Sequence, residues 1–284
     1  MALLAVVFAV LGAASNATGT AFQRKAAAPM KTGGGLRFLL SLMRQPAWVI
    51  GILGVCGAAL FQALALFNGP IALVQPIFVL ELPFALMIAG PLLNRRMPPE
   101  LWLGVSTVVA GLAMLLAAAA PRGTATQAAM EQWIPALIGC YGAMAIAVVV
   151  SRLRSSSLVR AATLGSAAAV GNAMTAALLK SATGTFSNQG FVAFLSTWQT
   201  YGFALTGIAA VLLLENALQA GSLAASQPAL TIGDATVSLL LGITVFNESI
   251  RTGWFLLPEL IGVGLICVGV GVLTRAIPNV RPRT

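Results

Sequence analysis

Seven acidic residues stand in this 284-residue chain, and two of them, Glu81 and Asp234, lie in the middle of long apolar runs. A carboxylate at the centre of a bilayer costs at least about 2.5–3.5 kcal/mol, so it is expected to face a cavity or a partner. The chemistry open to it is the binding of a proton or a cation. Pro83 follows Glu81 by two positions and has no N–H to give the Val79 carbonyl, which places a freed carbonyl and a carboxylate within one helical turn. Pro76 and Pro228 do the same for the carbonyls of Ala72 and Ala224. Interrupted helices with unpaired carbonyls are how cation sites are built at membrane depth. Further along, Gln227, Thr231, Asp234 and Ser238 recur at spacings of four, three and four, a polar stripe on one helix face. The competing reading is structural: small polar groups and protonated acids also hold membrane helices together, and neighbouring groups repair proline kinks.

Other polar residues join these as candidates. Gln75 precedes Pro76, as Gln227 precedes Pro228. Asn16 and Asn172 could donate to a substrate oxygen or bond between helices. Glu215, with Asn216 and Gln219, suits a gate or an inner vestibule, and Glu259, just after Pro258, suits a mouth. Glu100 and Glu131 sit at run ends, and Glu248, followed by Arg251, reads as interfacial. The chain has no histidine, and no nucleophile, base and orienter fall together, so neither an enzyme nor a resident cofactor is expected. Cys56, Cys140 and Cys267 all lie in apolar runs and read as small buried residues. "KTGGGLRF" lacks the spacing of a phosphate-binding loop and reads as a linker. "GLRFLLSLMRQP" reads as a segment lying on the inner membrane surface.

The elements that must position these groups are membrane spans. Hydrophobic residues make up 58% of the chain and charged ones 8%, outside the range of soluble domains. Nine continuous runs are long enough to cross about 30 Å of hydrocarbon as helices: 2–22, 46–67, 71–93, 99–119, 132–150, 157–180, 197–219, 222–246 and 253–274. Strands of a barrel would alternate instead. With the N-terminus outside and the C-terminus in the cytoplasm, 13 of the 16 basic residues face inward and only Arg122, Lys180 and Arg251 face out, as the positive-inside rule requires. The net charge of +9 is thus an orientation signal, not a nucleic-acid footprint. The first run has no basic residue before it, which reads as a retained helix and not a cleaved signal.

Shifted by 152 positions, "ALALFNGPIALVQP" (63–76) meets "ENALQAGSLAASQP" (215–228), and Trp102 meets Trp254. Asn16 meets Asn172 and Arg24 meets Lys180 at a slightly different offset. The chain therefore divides into a first repeat at 1–120, a linking fifth span at 121–155 and a second repeat at 156–284. Five spans separate the starts of the copies, so the second is inverted, an arrangement typical of secondary transporters.

In "ALFNGPIALVQPIFVLELPFALMIAGPLLNRRM" and "ALQAGSLAASQPALTIGDATVSLLLGITVFNE" the chain resembles the drug/metabolite transporter superfamily, most of all its EamA-type repeat and its nine-helix NIPA-like magnesium branch. That resemblance implies two inverted halves, usually of five helices each. A tenth helix is missing here. The expected function is alternating-access transport of a small organic cation or neutral solute across a bacterial cytoplasmic membrane, coupled to protons through Glu81 and Asp234. The alternatives are a permease for Mg2+ held by the same two acids, and a membrane scaffold or lipid-handling subunit that transports nothing. With no Lys or Arg at the midplane, anionic solutes are disfavoured. A monomer suffices for a path, and a homodimer is compatible with it.

Overall fold

A computed structural model describes residues 2–27, 45–92, 95–96, 99–123, 125–220, 223–276 and 281–282. The segment 28–44, which contains the glycine-rich stretch and most of the surface-lying segment, falls outside the described residues, as do the side chains of Gln227 and Pro228.

Long apolar runs without water must satisfy their backbone within the segment, so each becomes a helix. These are α1 (Ala2–Ala27), α2 (Pro46–Asn68), α3 (Ile71–Ile77), α4 (Glu81–Leu92), α5 (Pro99–Ala119), α6 (Met130–Leu153), α7 (Ser157–Ser196), α8 (Trp198–Ala220), α9 (Leu223–Phe246) and α10 (Leu256–Ala276). The third span is two helices, α3 and α4, joined by a 3-10 turn at Phe78–Leu80. Among the described residues, nine stretches are long and apolar enough to cross a membrane. The chain is an all-helical, multi-pass membrane protein.

The sixth span departs from expectation. A run ending at Lys180 is predicted, yet α7 continues to Ser196 with one break at Gly190, whose φ of 85° lies in the left-handed region that glycine tolerates. Lys180 is fully buried inside this helix and is not a loop cation facing out.

Packing follows a regular scheme. Helix α1 packs on α2 and on α3 and α4, while α7 packs on α8 and α9. Across the two groups α3 meets α9 and α5 runs against α10, and α6 lies on α7. Within this scheme α1 stands to α2 and the third span as α7 stands to α8 and α9. The α5–α10 seam is glycine-made: a Cβ at Gly111 would sit 2.7 Å from the Gly262 carbonyl oxygen, and one at Gly262 2.8 Å from that of Gly111. Backbones that close gain van der Waals contact over their whole length.

Backbone bonds tie loops at both ends. Arg122 and Ser249 exchange N–H to carbonyl bonds of 2.9 and 2.8 Å, and the Arg251 N–H donates to the Ala119 carbonyl at 3.0 Å. Arg95–Arg96 pairs antiparallel with Arg281–Pro282. The α5–α6 and α9–α10 loops therefore share one end of the bundle, and the stretch after α4 shares the other with the chain's C-terminal segment.

Candidate functional site

Two buried acids frame the start of α3. Pro70 precedes this helix and offers no side-chain cap, so the first N–H groups need acceptors from elsewhere. Glu248, 177 positions away, supplies them: Oε1 accepts the Ile71 N–H at 2.7 Å and Oε2 the Ala72 N–H at 3.0 Å. The Lys180 ammonium closes on Oε1 at 2.6 Å, with both side chains fully buried, and lies 4.8 Å from the centre of the Phe246 ring. Phe246 meets Trp133 edge to face, and Trp133 meets Trp198 likewise. Glu248 is thus not the interfacial acid expected from its loop position. Its charge is matched by a cation on α7 and by helix N–H groups, which is why burial is tolerated.

One turn further along α3 lies a pocket of about 100 Å3, lined from four directions. Ala72, Pro76 and Val79 come from the third span, Leu115 and Leu116 from α5, Thr231, Ile232, Ala235, Thr236 and Leu239 from α9, and Glu259 and Cys267 from α10. Most of the lining is apolar. Glu259 is 8% exposed, and its Oε1 has no hydrogen-bond partner among the described residues. Pro76 has no N–H to donate to the Ala72 carbonyl.

The candidates from the sequence are divided by the fold. Thr231, Pro76 and Glu259 line this pocket together. Asp234 and Ser238 do not; Ser238 is fully buried and its hydroxyl donates to Asp234 Oδ1 at 3.2 Å. The lining face of α9 is centred on 232, 235 and 239, rotated from the 231, 234 and 238 stripe by about one residue. Glu81 opens α4 directly after the 3-10 turn, two residues beyond Val79, and is half-buried. Pro83, buried, lies in the first turn of α4, directly after the 3-10 turn that carries Val79. Gln75 is buried and accepts from Gln62 Nε2 at 3.5 Å. Asn16 and Asn172 are half-buried on α1 and α7, away from the pocket lining. Glu215 is exposed near the end of α8. The described residues contain no cluster of three or more His, Cys, Asp or Glu that could hold a metal ion.

Over 283 residues the chain is 28% identical to an uncharacterized protein of Corynebacterium glutamicum, covering 97% of this chain and 94% of that one. Over 115 residues it is 30% identical to the probable 4-amino-4-deoxy-L-arabinose-phosphoundecaprenol flippase subunit ArnE of Salmonella paratyphi B, 40% of this chain and 97% of the subunit. The ArnE of Salmonella typhimurium matches at 29% over the same share of each chain. The chain belongs to the membrane transporter-like family that includes ArnE. No family model matches it, and no solved structure does.

Relative to its ArnE relatives the chain is long, since nearly the whole of such a subunit corresponds to 40% of it. Sequence reasoning missed the Lys180–Glu248 pair because each residue sits beside a polar or loop-like stretch, and nothing in the local pattern announces a partner 68 positions away.

Proposed function

We propose that the chain is a secondary transporter that moves its substrate between the third, fourth, eighth and ninth spans by alternating access. The observation that carries this reading is the pocket at the interrupted third span, walled on one side by α3 and α5 and on the other by α9 and α10. An inverted pair of four-span units, joined by α6, is consistent with the like packing of α1 on α2 and of α7 on α8, and with ArnE subunits that match less than half of the chain. Rocking one unit against the other would open the pocket alternately to the two sides. The end bearing Arg122, Ser249 and the Lys180–Glu248 pair is the outer one in the orientation that the basic residues favour.

Glu81 and Asp234 are the coupling acids in this reading. Neither lines the pocket, but each is next to a wall: Glu81 follows the 3-10 turn that carries Val79, and Asp234 precedes Ala235. A proton moving on or off either acid would change hydrogen bonding at a helix junction or to Ser238, which links protonation to the arrangement of the pocket walls. The family's flippase subunit favours a substrate with an apolar portion, and the wall composition suits one.

Reconstituted vesicles test this with a proton gradient imposed and a panel of organic cations, neutral solutes and Mg2+. Accumulation of an organic solute that follows the gradient in the wild type and is lost in Glu81→Gln plus Asp234→Asn is the expected result. Gradient-driven uptake unaltered in that double variant refutes the coupling role, and uptake of Mg2+ alone replaces the reading with a cation permease.

A further inference from the structure

Helix α7 is longer than a bilayer needs. Its 40 residues make about 60 Å of helix at 1.5 Å per residue, against about 30 Å of hydrocarbon. Even as far as its break at Gly190 it outruns that thickness, so its last turns project past the Lys180 turn and the chain comes back to begin α8 at Trp198. The returning piece is the helical stretch 191–196, closed by the Thr197 N–H on the Ala193 carbonyl at 3.0 Å.

The base of this hairpin is fixed. Gln127, in the α5–α6 loop, donates to the Ser181 carbonyl and to the Thr185 hydroxyl, both at 3.0 Å, and a Cβ on Gly184 would sit 2.6 Å from the Thr126 side chain. Across the turn, Phe194 stacks on Phe191 and meets Phe186 edge to face, with ring centres 6.3 and 6.0 Å away.

The tip is apolar and open. Phe186 and Leu195 are exposed, Phe191 is 61% exposed and Val192 78%. No Asp, Glu, Lys or Arg occurs between Lys180 and Glu215. Contiguous exposed apolar surface marks contact with a membrane or a protein. Two observations choose the membrane. The surface runs on into α8, a span long and apolar enough to cross the bilayer, whose exposed Tyr201, Leu205 and Ile208 begin six residues after Leu195. The hairpin also returns to a point where two spans begin, since Trp198 packs against Trp133 near the start of α6. At that same end Trp254, just before α10, is 93% exposed, as an aromatic belt at the headgroups requires. The missing charge then decides the lipid chemistry. No cation draws anionic headgroups, so insertion depends on apolar contact alone.

We propose that residues 186–195 are an interfacial anchor, a hairpin tip whose phenyl and aliphatic side chains insert among the headgroups and upper acyl carbons of the adjoining phospholipid leaflet. Because Thr126 and Gln127 clamp its base, the anchor ties the α5–α6 loop and the Lys180–Glu248 pair to the membrane surface. It goes beyond the transport reading and does not require it.

The test uses the full chain, one copy per phosphatidylcholine nanodisc, doped with phosphatidylcholine that carries a diazirine either beside the acyl carbonyl or at the chain terminus. After irradiation, chymotryptic peptides locate the lipid adducts. The shallow probe should label 186–195 at least tenfold more than the deep probe, which should instead label 205–212 of α8. Absence of adducts on 186–195 with either probe, as for a tip in water or one folded back over the bundle, overturns the anchor. So does stronger labelling by the deep probe, which makes the segment part of a span.

The triple variant Phe191→Ser, Val192→Ser, Leu195→Ser keeps the Phe186–Phe194 contact and should lose shallow labelling of 186–195 at least tenfold, while labelling around Trp254 persists. Undiminished labelling of 186–195 overturns the assignment to these side chains. Phe191→Leu with Val192→Leu keeps the apolar surface and should label as the wild type does; a tenfold loss there also overturns it.

Two further arms settle what covers the tip. Exchanging the host lipid for phosphatidylglycerol, or raising salt to about 1 M, should change labelling by less than twofold, and a tenfold gain with the anionic lipid that salt reverses overturns apolar insertion. Crowded vesicles should give the same labelling per chain as single-copy discs. A tenfold fall on crowding gives the tip to a second copy and overturns the lipid.

Discussion

Glu248 and Glu259 lie 11 positions apart and are similarly buried at 3% and 8% exposure. One is saturated: an ammonium and two backbone N–H groups use both of its oxygens. The other has an oxygen with no donor among the described residues and an apolar pocket in front of it. The contrast teaches that burial of a carboxylate says nothing about its role until its partners are counted. A satisfied acid holds helices in place, whereas an unsatisfied one leaves bonding capacity for a ligand.

The comparison is broken most forcefully at Lys180. Lys180→Met leaves the Glu248 charge buried with backbone donors only and should destabilise the protein by about 3–5 kcal/mol in reversible unfolding from mixed micelles. Adding Glu248→Leu to it should return part of that loss, since the stranded charge goes with it; no recovery would mean that the carboxylate matters as a cap on α3 more than as a counter-ion.

Gly242 offers a route to Glu248 that changes no charge. A Cβ there would collide with Oε2 of the Glu248 carboxylate, which is held by three partners, and the Gly242 carbonyl accepts the Glu248 N–H at 2.9 Å. Gly242→Ala should therefore cost about 1–3 kcal/mol through lost or stretched bonds to the carboxylate. The same substitution at Gly264, where an added Cβ meets nothing, should be close to neutral and is the control.

Asp234 is the intermediate case, with a single hydroxyl donor. Ser238→Ala removes an i, i+4 bond within α9 and should cost about 0.5 kcal/mol. Glu259 should show the smallest stability effect of the acids. Glu259→Gln leaves unfolding unchanged within about 1 kcal/mol, because Oε1 has no donor among the described residues to lose. A destabilisation as large as that of Lys180→Met would erase the distinction between the two glutamates.

The nine spans were legible because hydrocarbon forces each long apolar run into a helix. Observed helices begin and end within a few residues of the expected runs at 46–67, 99–119, 197–219 and 222–246. The sixth run failed at Lys180, and the failure is instructive. A lone cation normally marks the end of a span, and only a carboxylate arriving from the α9–α10 loop allows the helix to continue past it. The polar stripe of α9 was legible as a helix face, but which neighbour that face meets was not. Thr231 reaches the pocket, while Asp234 and Ser238 bond to each other.

Composition, run length and proline position determined on their own that this chain is a helical membrane protein with an interrupted third span, because those properties act through the segment's own backbone and its solvent. Which acid is paired and which is left open was decided only by tertiary structure. Glu248 finds its partners 68 and 177 positions away, and the empty side of Glu259 exists only where four separate helices fail to fill the space between them.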